Sequence, residues 1–401
     1  MPRNLIIVGA GNYWFNLVQP ALPKLIESGL VNKVTTIDIT EQNPIEGVEQ
    51  VVRKKEQPLY EVVDKIGYDN PLIILSHANN LHTPEAVDVM ENAKSKPKLL
   101  IEKPYAINSE DLNALKDLLE REKENTGLLE YYLTMKGIPL LVLGGLVKKD
   151  SFYFADKTII KELTSNALEE QNGKIREAIG NPIYALSETL EGEGSYGTIE
   201  HRNLSLVDRI LGGGMIQDLG QHSLTPLMAL EDYIGKIDTA SLKEVKVAHC
   251  KEYLDFAKSR GIPKDRTGES YAELKFVTSS GVLLDVCLGK YVEKCSNQRR
   301  IIILGTRGTV IYDMTNNILS YQHGDDNKNI KPLLEADKKG AKYLAVLRAG
   351  IEYLEGRNPF SFNPAEIAFE AQKIVLNSLL VPPAQKAEYQ QGTMHDEIFK
   401  S

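Results

Sequence analysis

Only three cysteines occur in the 401 residues (Cys250, Cys287 and Cys295), and none stands in a CxxC spacing. Three thiols cannot all pair and offer no CxxC zinc-ligand pattern, so neither a disulfide framework nor a zinc site is expected. Long apolar runs are missing too: nowhere do roughly 18 apolar residues follow one another, the length that a membrane-crossing helix needs. No signal-peptide pattern leads into Leu5-Ile6-Ile7-Val8. A reducing, cytoplasmic location with no membrane partner is therefore expected. Basic clusters are also absent and the net charge is −8, the wrong sign for a phosphate-binding face, so no nucleic-acid partner is expected. Internal repeats and low-complexity segments are lacking. What is present is an ordinary globular mixture, 42 % apolar and 25 % charged, on a chain long enough for two domains.

The first part alternates short apolar runs with mixed-polarity stretches. Strands are expected at 5–8, 34–39, 72–76, 99–101 and 127–133, with helices at 13–26 (interrupted by Pro20), 84–93 and 109–122, the last capped by Ser109. All-apolar strands alternating with helices predict an α/β, Rossmann-type doubly wound parallel sheet. Beyond about residue 180 the texture changes. Runs at 182–188, 271–277, 282–289 and 300–304 carry β-rich residues with no helix between each pair, and Thr278-Ser279-Ser280-Gly281 reads as a hairpin turn. This predicts an α+β domain with a large, mostly antiparallel open sheet, closed by helices at 341–355 and 364–379. The boundary is placed at 133/134, giving domains 1–133 and 134–401, with 137–179 as an extended insertion.

Chemistry concentrates at strand ends. Gly9-Ala10-Gly11 follows the first strand, where glycines let a backbone turn tightly and approach a pyrophosphate. The dinucleotide fingerprint wants a third glycine at position 14, but Trp14, the sole tryptophan, stands there. Asp38 ends the second strand; an acid there binds the adenosine ribose hydroxyls and repels a 2′-phosphate, favouring NAD over NADP. Ser76, Asn79 and His82 lie just past the third strand, on the side where ligands bind in open α/β sheets. Leu99-Leu100-Ile101-Glu102-Lys103-Pro104 runs a buried strand into a lysine fixed by the following proline, so Lys103 is aimed rather than free. Downstream, Asp218 and His222 stand i, i+4 on a helical stretch opened by Gly212-Gly213-Gly214. Such a pair projects from one face, where a neutral histidine accepts a proton and an acid orients it. No further metal ligands accompany them, so no metal is expected.

In this order the motifs resemble those of the Gfo/Idh/MocA oxidoreductases, the glucose–fructose oxidoreductase and inositol dehydrogenase family. The matching stretches are Gly9-Ala10-Gly11-Asn12, Asn79-Asn80-Leu81-His82, Glu102-Lys103-Pro104, Gly213 through His222 (GG-x₃-D-x-G-x-H) and Gly305-Thr306-Arg307-Gly308. The resemblance implies cofactor contacts from Gly9, Gly11, Asn12, Tyr13, Trp14, Asp38, Ser76, Asn79, His82, Glu102 and Lys103. It makes Lys103, Asp218 and His222 catalytic: His222 the general base, Lys103 the stabiliser of the substrate oxygen, Asp218 the support of His222 or of a neighbouring hydroxyl. Further substrate contacts are assigned to Tyr132, Lys136, His201 and Arg202, with Tyr131 and Tyr196 as other wall candidates. Two departures stand out: Trp14 in place of glycine, and the long 137–179 segment. The activity implied is NAD-dependent oxidation of a secondary hydroxyl on a sugar, amino sugar, cyclitol or nucleotide sugar by a homodimer or homotetramer. The alternatives are an NAD-recycling glycosidase and an inactive NAD-sensing regulatory protein.

Overall fold

The computed structural model describes residues 3–9, 18–41, 45–155, 170, 172–192, 204–292, 297–323, 326–330 and 341–400. These form two compact units, and the chain passes between them more than once. The first takes the chain up to Met135, returns from Lys148, and holds the helix Ala341–Leu354 as far as Ala365; the second begins at Lys136 and resumes at Glu366.

In the first unit, β1 (Arg3–Val8), β2 (Val31–Asp38), β3 (Val48–Val52), β4 (Leu72–Leu75), β5 (Lys98–Glu102) and β6 (Thr126–Leu129) make one sheet in the order β3-β2-β1-β4-β5-β6. Every pairing is parallel. The central strands read LIIV, LIIL and LLI because helices cover both faces, and burying each such side chain is worth about 1.5–3 kcal/mol. The doubly wound class expected from sequence is what forms. β3 was not legible: VEQVV is a half-buried edge strand without an apolar core face.

Some boundaries move. The strand expected over 127–133 stops at Leu129, and Tyr132–Lys136 is a π-helical turn. The helix Ser109–Arg121 is capped by Asn108, not Ser109: the Asn108 carboxamide oxygen accepts from Asp111 N at 2.8 Å. The helix Ala341–Leu354 joins this unit because Gly350 lets it close on the sheet; a Cβ there would lie 2.9 Å from Leu129 Cδ2 and 3.0 Å from Leu100. A single linear boundary cannot express that return.

The second unit is built on a nine-stranded sheet, β14-β13-β12-β11-β7-β10-β9-β8-β15. Its strands are β7 (Pro182–Glu191), β8 (Leu242–Cys250), β9 (Tyr271–Val277), β10 (Leu283–Lys290), β11 (Gln298–Gly305), β12 (Gly308–Asp313), β13 (Ile318–His323), β14 (Asp326–Ile330) and β15 (Gln385–Tyr389). Only β10–β7 and β15–β8 are parallel. The expected hairpin turn joins β9 to β10, with Gly281 N donating to Thr278 O at 2.9 Å. Leu284, Val286 and Leu288 point to the buried face, while Leu283 is 54 % exposed on the other, as the alternation required. The helices Met215–Met228 and Pro364–Leu380 pack together at Gly220, where a Cβ would sit 2.8 Å from Val375 Cγ2. No helix among the described residues is long and apolar enough to cross a membrane.

Candidate active site

The first unit brings its site residues to the carboxyl edge of the parallel sheet. β1 and β4 are neighbours although β2 and β3 lie on the other side, so the strand order reverses between them. That is the point at which open α/β sheets bind ligands. Gly9 leaves β1 with φ +97°, and a Cβ on it would lie 2.7 Å from His77 Cα, so only glycine fits. Ser76 ties the two turns together, its N donating to Val8 O at 2.9 Å and its Oγ to the same oxygen at 3.1 Å. Ala10, Gly11, Asn12, Tyr13 and Trp14 lie outside the described residues. Asp38 ends β2 as expected; its Oδ1 accepts from Thr40 N at 3.1 Å and Thr40 Oγ1 at 3.2 Å. Asn79 opens the short 3₁₀ turn Asn79–Leu81 that follows β4.

Lys103 is half-buried immediately beyond β5, on a loop pinned from several directions. The Lys103–Pro104 peptide is cis. Glu102 is buried: its carboxylate accepts from Lys103 N at 3.0 Å and, on the other oxygen, from the Tyr343 hydroxyl. Thr83 Oγ1 donates to Tyr105 O at 2.6 Å, and the Tyr105 hydroxyl donates to Leu129 O at 2.8 Å. The sequence reading placed Glu102 and His82 at the cofactor. The contacts seen here tie both to the loop that carries Lys103.

His82 is 1 % exposed, with Nδ1 2.9 Å from Pro104 O and Nε2 3.2 Å from His77 O. Two facing carbonyls favour the cation, but burial outweighs them and, with the nearby His77, pushes the imidazole down to about 3. The ring is therefore neutral at pH 7 and donates through one nitrogen, Nδ1 being the nearer. Between about 6.5 and about 3 the unfolded chain binds a proton that the folded one refuses, so stability falls as pH falls, by at most about 1.4 kcal/mol per pH unit. Urea unfolding at pH 7 and pH 5 is expected to show this loss in the wild type and a smaller one in His82→Gln. Beside it, Arg53 Nη2 donates to Glu85 Oε1 at 2.5 Å, and His77 Nε2 lies 2.8 Å from Glu85 Oε2. Burial raises the Glu85 carboxyl, but the His77 and Arg53 contacts outweigh it and hold the group below the usual range.

In the second unit the chemistry sits on the helix Met215–Met228. Its start is fixed by backbone packing: Gly214 has φ +108°, and a Cβ on Gly268 would lie 2.5 Å from Gly214 N. The buried Glu269 carboxylate accepts from Ile216 N at 2.8 Å and from Arg209 Nη2 at 3.0 Å. This anchoring sets the rotation of the helix and hence the face that carries Asp218 and, one turn on, His222, which is 9 % exposed. The next residue, Ser223, shares a 2.7 Å hydroxyl contact with Thr189 of β7. Asp218 is engaged by a residue that sequence reading missed: Lys290 Nζ donates to Asp218 Oδ2 at 2.5 Å and lies 3.5 Å from Glu191 Oε2. Arg299 Nη2 closes the series on Glu191 Oε1 at 2.7 Å. A signal was available, since Lys290 interrupts the inward apolar alternation Leu284, Val286, Leu288.

Other expected contacts fall differently. Lys136 is buried and its ammonium donates to Met314 O at 3.1 Å. Tyr132 is 4 % exposed and packs edge-on to Tyr131 at 5.8 Å, which makes it core more than wall. His201, Arg202 and Tyr196 lie outside the described residues. Gly305 and Gly308 bracket the β11–β12 turn; side chains there would overlap Ile179 O and Gln322 O, so this motif is a packing device. Among the described residues no group of three or more His, Cys, Asp or Glu side chains is placed to hold a metal ion.

No family model and no curated protein matches the sequence. Solved structures do match the fold. An oxidoreductase from Thermotoga maritima aligns with TM-score 0.64 at 13 % identity, covering 94 % of this chain and 96 % of that one. KijD10, a 3-ketoreductase from Actinomadura kijaniata in complex with TDP-benzene and NADP, aligns with TM-score 0.61 at 12 % identity over 97 % and 100 %. Biliverdin reductase from Synechocystis sp. PCC 6803, with biliverdin and NADP+, aligns with TM-score 0.63 at 14 % identity over 95 % and 99 %. The chain therefore has the two-domain fold of these oxidoreductases. At such identities the likeness defines the architecture.

Proposed function

We propose that this chain is a nicotinamide-dependent oxidoreductase that oxidises a secondary hydroxyl on a sugar, amino sugar, cyclitol or nucleotide sugar. The observation that carries the reading is the alignment of Gly9, Asp38, Ser76 and Lys103 along the carboxyl edge of one parallel sheet, two of them at its switch point. The donor set suits a dinucleotide: a glycine cradle at the end of β1 for a pyrophosphate, and an acid at the end of β2 for ribose hydroxyls. The nicotinamide, when bound, accepts or returns the hydride. His222 takes the hydroxyl proton, Lys103 stabilises the oxygen as negative charge develops on it, and Asp218 orients His222 or a neighbouring hydroxyl. Assembly as a homodimer or homotetramer belongs to the same reading and is checked by light scattering.

NAD is proposed over NADP because a carboxylate at the end of β2 repels a 2′-phosphate. Calorimetric titration is expected to show NADH bound at least ~10-fold more tightly than NADPH, about 1.4 kcal/mol, and Asp38→Ser is expected to narrow that gap. Equal or tighter binding of NADPH would remove the assignment to NAD. Absence of binding by either would remove the oxidoreductase reading.

A further inference from the structure

We infer that Lys290 is a positioning residue: it fixes Asp218, as a carboxylate, on the helix face that Asp218 shares with His222. The inference rests on the reading of His222 as the proton acceptor. Lys290 stands at the end of β10, 8 % exposed on its side chain, and reaches the helix Met215–Met228 through its 2.5 Å contact with Asp218. Around Asp218 the charged series runs Lys290 from β10, Glu191 from β7 and Arg299 from β11, with His222 on its own helix. The Asp218 charge is also felt by the buried Tyr253 hydroxyl of the helix Lys251–Ser259.

Formal charges in this series alternate, minus on Asp218, plus on Lys290, minus on Glu191 and plus on Arg299, and they cancel. Two consequences follow. An ionised, cation-bound Asp218 is an acceptor only, so it receives an N–H or O–H and leaves proton uptake to His222. Removing Lys290 alone leaves the buried Glu191 and the half-buried Asp218 carboxylates against one arginine, whereas removing Lys290 and the Asp218 charge together leaves Glu191 and Arg299 paired with each other.

The test is a cycle of Lys290→Met, Asp218→Asn and the double variant, with Lys290→Arg as the conservative control. Lys290→Met and Asp218→Asn are each expected to lower kcat by on the order of 10-fold or more, and the double variant no further than Asp218→Asn. NADH affinity should hold in all three, and Lys290→Arg should recover most of the rate. In thermal unfolding the double variant should melt above Lys290→Met, which also covers the case in which the single variant folds poorly. Retention of kcat within about twofold in Lys290→Met, or losses that multiply in the double variant, would overturn the inference. Should the wild type oxidise no alcohol at all, the proposed function fails, and the unfolding cycle then decides this inference alone. A double variant less stable than either single one refutes it; one more stable than Lys290→Met sustains it.

Discussion

Replacing His222 with alanine is expected to lower kcat by at least ~10²-fold while NADH still binds as in the wild type. The size follows from what general-base help contributes, ~10²–10⁴-fold, which the proposed mechanism assigns to His222. The selectivity follows from placement. His222 stands on a helix of the second unit, whereas Gly9, Asp38 and Ser76 stand on the sheet of the first, so the substitution leaves those elements untouched. Stopped-flow reduction of NAD with binding measured in parallel separates the two effects. A His222→Ala enzyme at wild-type rate would reassign the base.

Lys103→Met is expected to cost about 10²–10³-fold in kcat, the range seen when one donor to a developing oxyanion is removed. The loop that carries Lys103 is held by Glu102, Tyr343, His82, Thr83 and Tyr105, so the backbone from which the side chain extends is fixed. Lys103→Arg should rescue poorly, because a planar guanidinium cannot replace a compact point charge on one oxygen. On the proposed mechanism, combining Lys103→Met with His222→Ala should cost much less than the product of the single losses. Steady-state kinetics of the four enzymes measures this; fully multiplicative losses would show that the two groups contribute independently of each other.

The sequence displayed its parallel sheet plainly because the cores of β1, β4 and β5, LIIV, LIIL and LLI, are buried on both faces and therefore apolar. It hid β3, β8 and β15, which lie at or next to sheet edges and mix polar with apolar residues, so no single face declares itself. The return of the helix Ala341–Leu354 to the first unit was equally hidden. Its apolar stripe would suit either unit, and what decides is the fit of Gly350 over Leu100 and Leu129, a contact between residues far apart in the chain. At the site, motif spacing located Gly9, Asp38, Lys103, Asp218 and His222, because turns and helical periodicity are local. The residues that hold them were not local: Tyr343 on Glu102, and Lys290 on Asp218. The partner of the Lys136 ammonium, Met314 O, is likewise far along the chain and beyond any local spacing.

Hydride transfer between a nicotinamide and a carbon bearing a hydroxyl, as proposed, leaves a direct optical signature. The most direct measurement is absorbance of the reduced nicotinamide when the enzyme meets a panel of sugars, amino sugars, cyclitols and nucleotide sugars with NAD and with NADP. Stoichiometric reduced cofactor is expected with at least one member of the panel, faster with NAD, and lost in His222→Ala. An enzyme that binds NADH yet neither forms it from any of these alcohols nor consumes it with the corresponding ketones would contradict the claim.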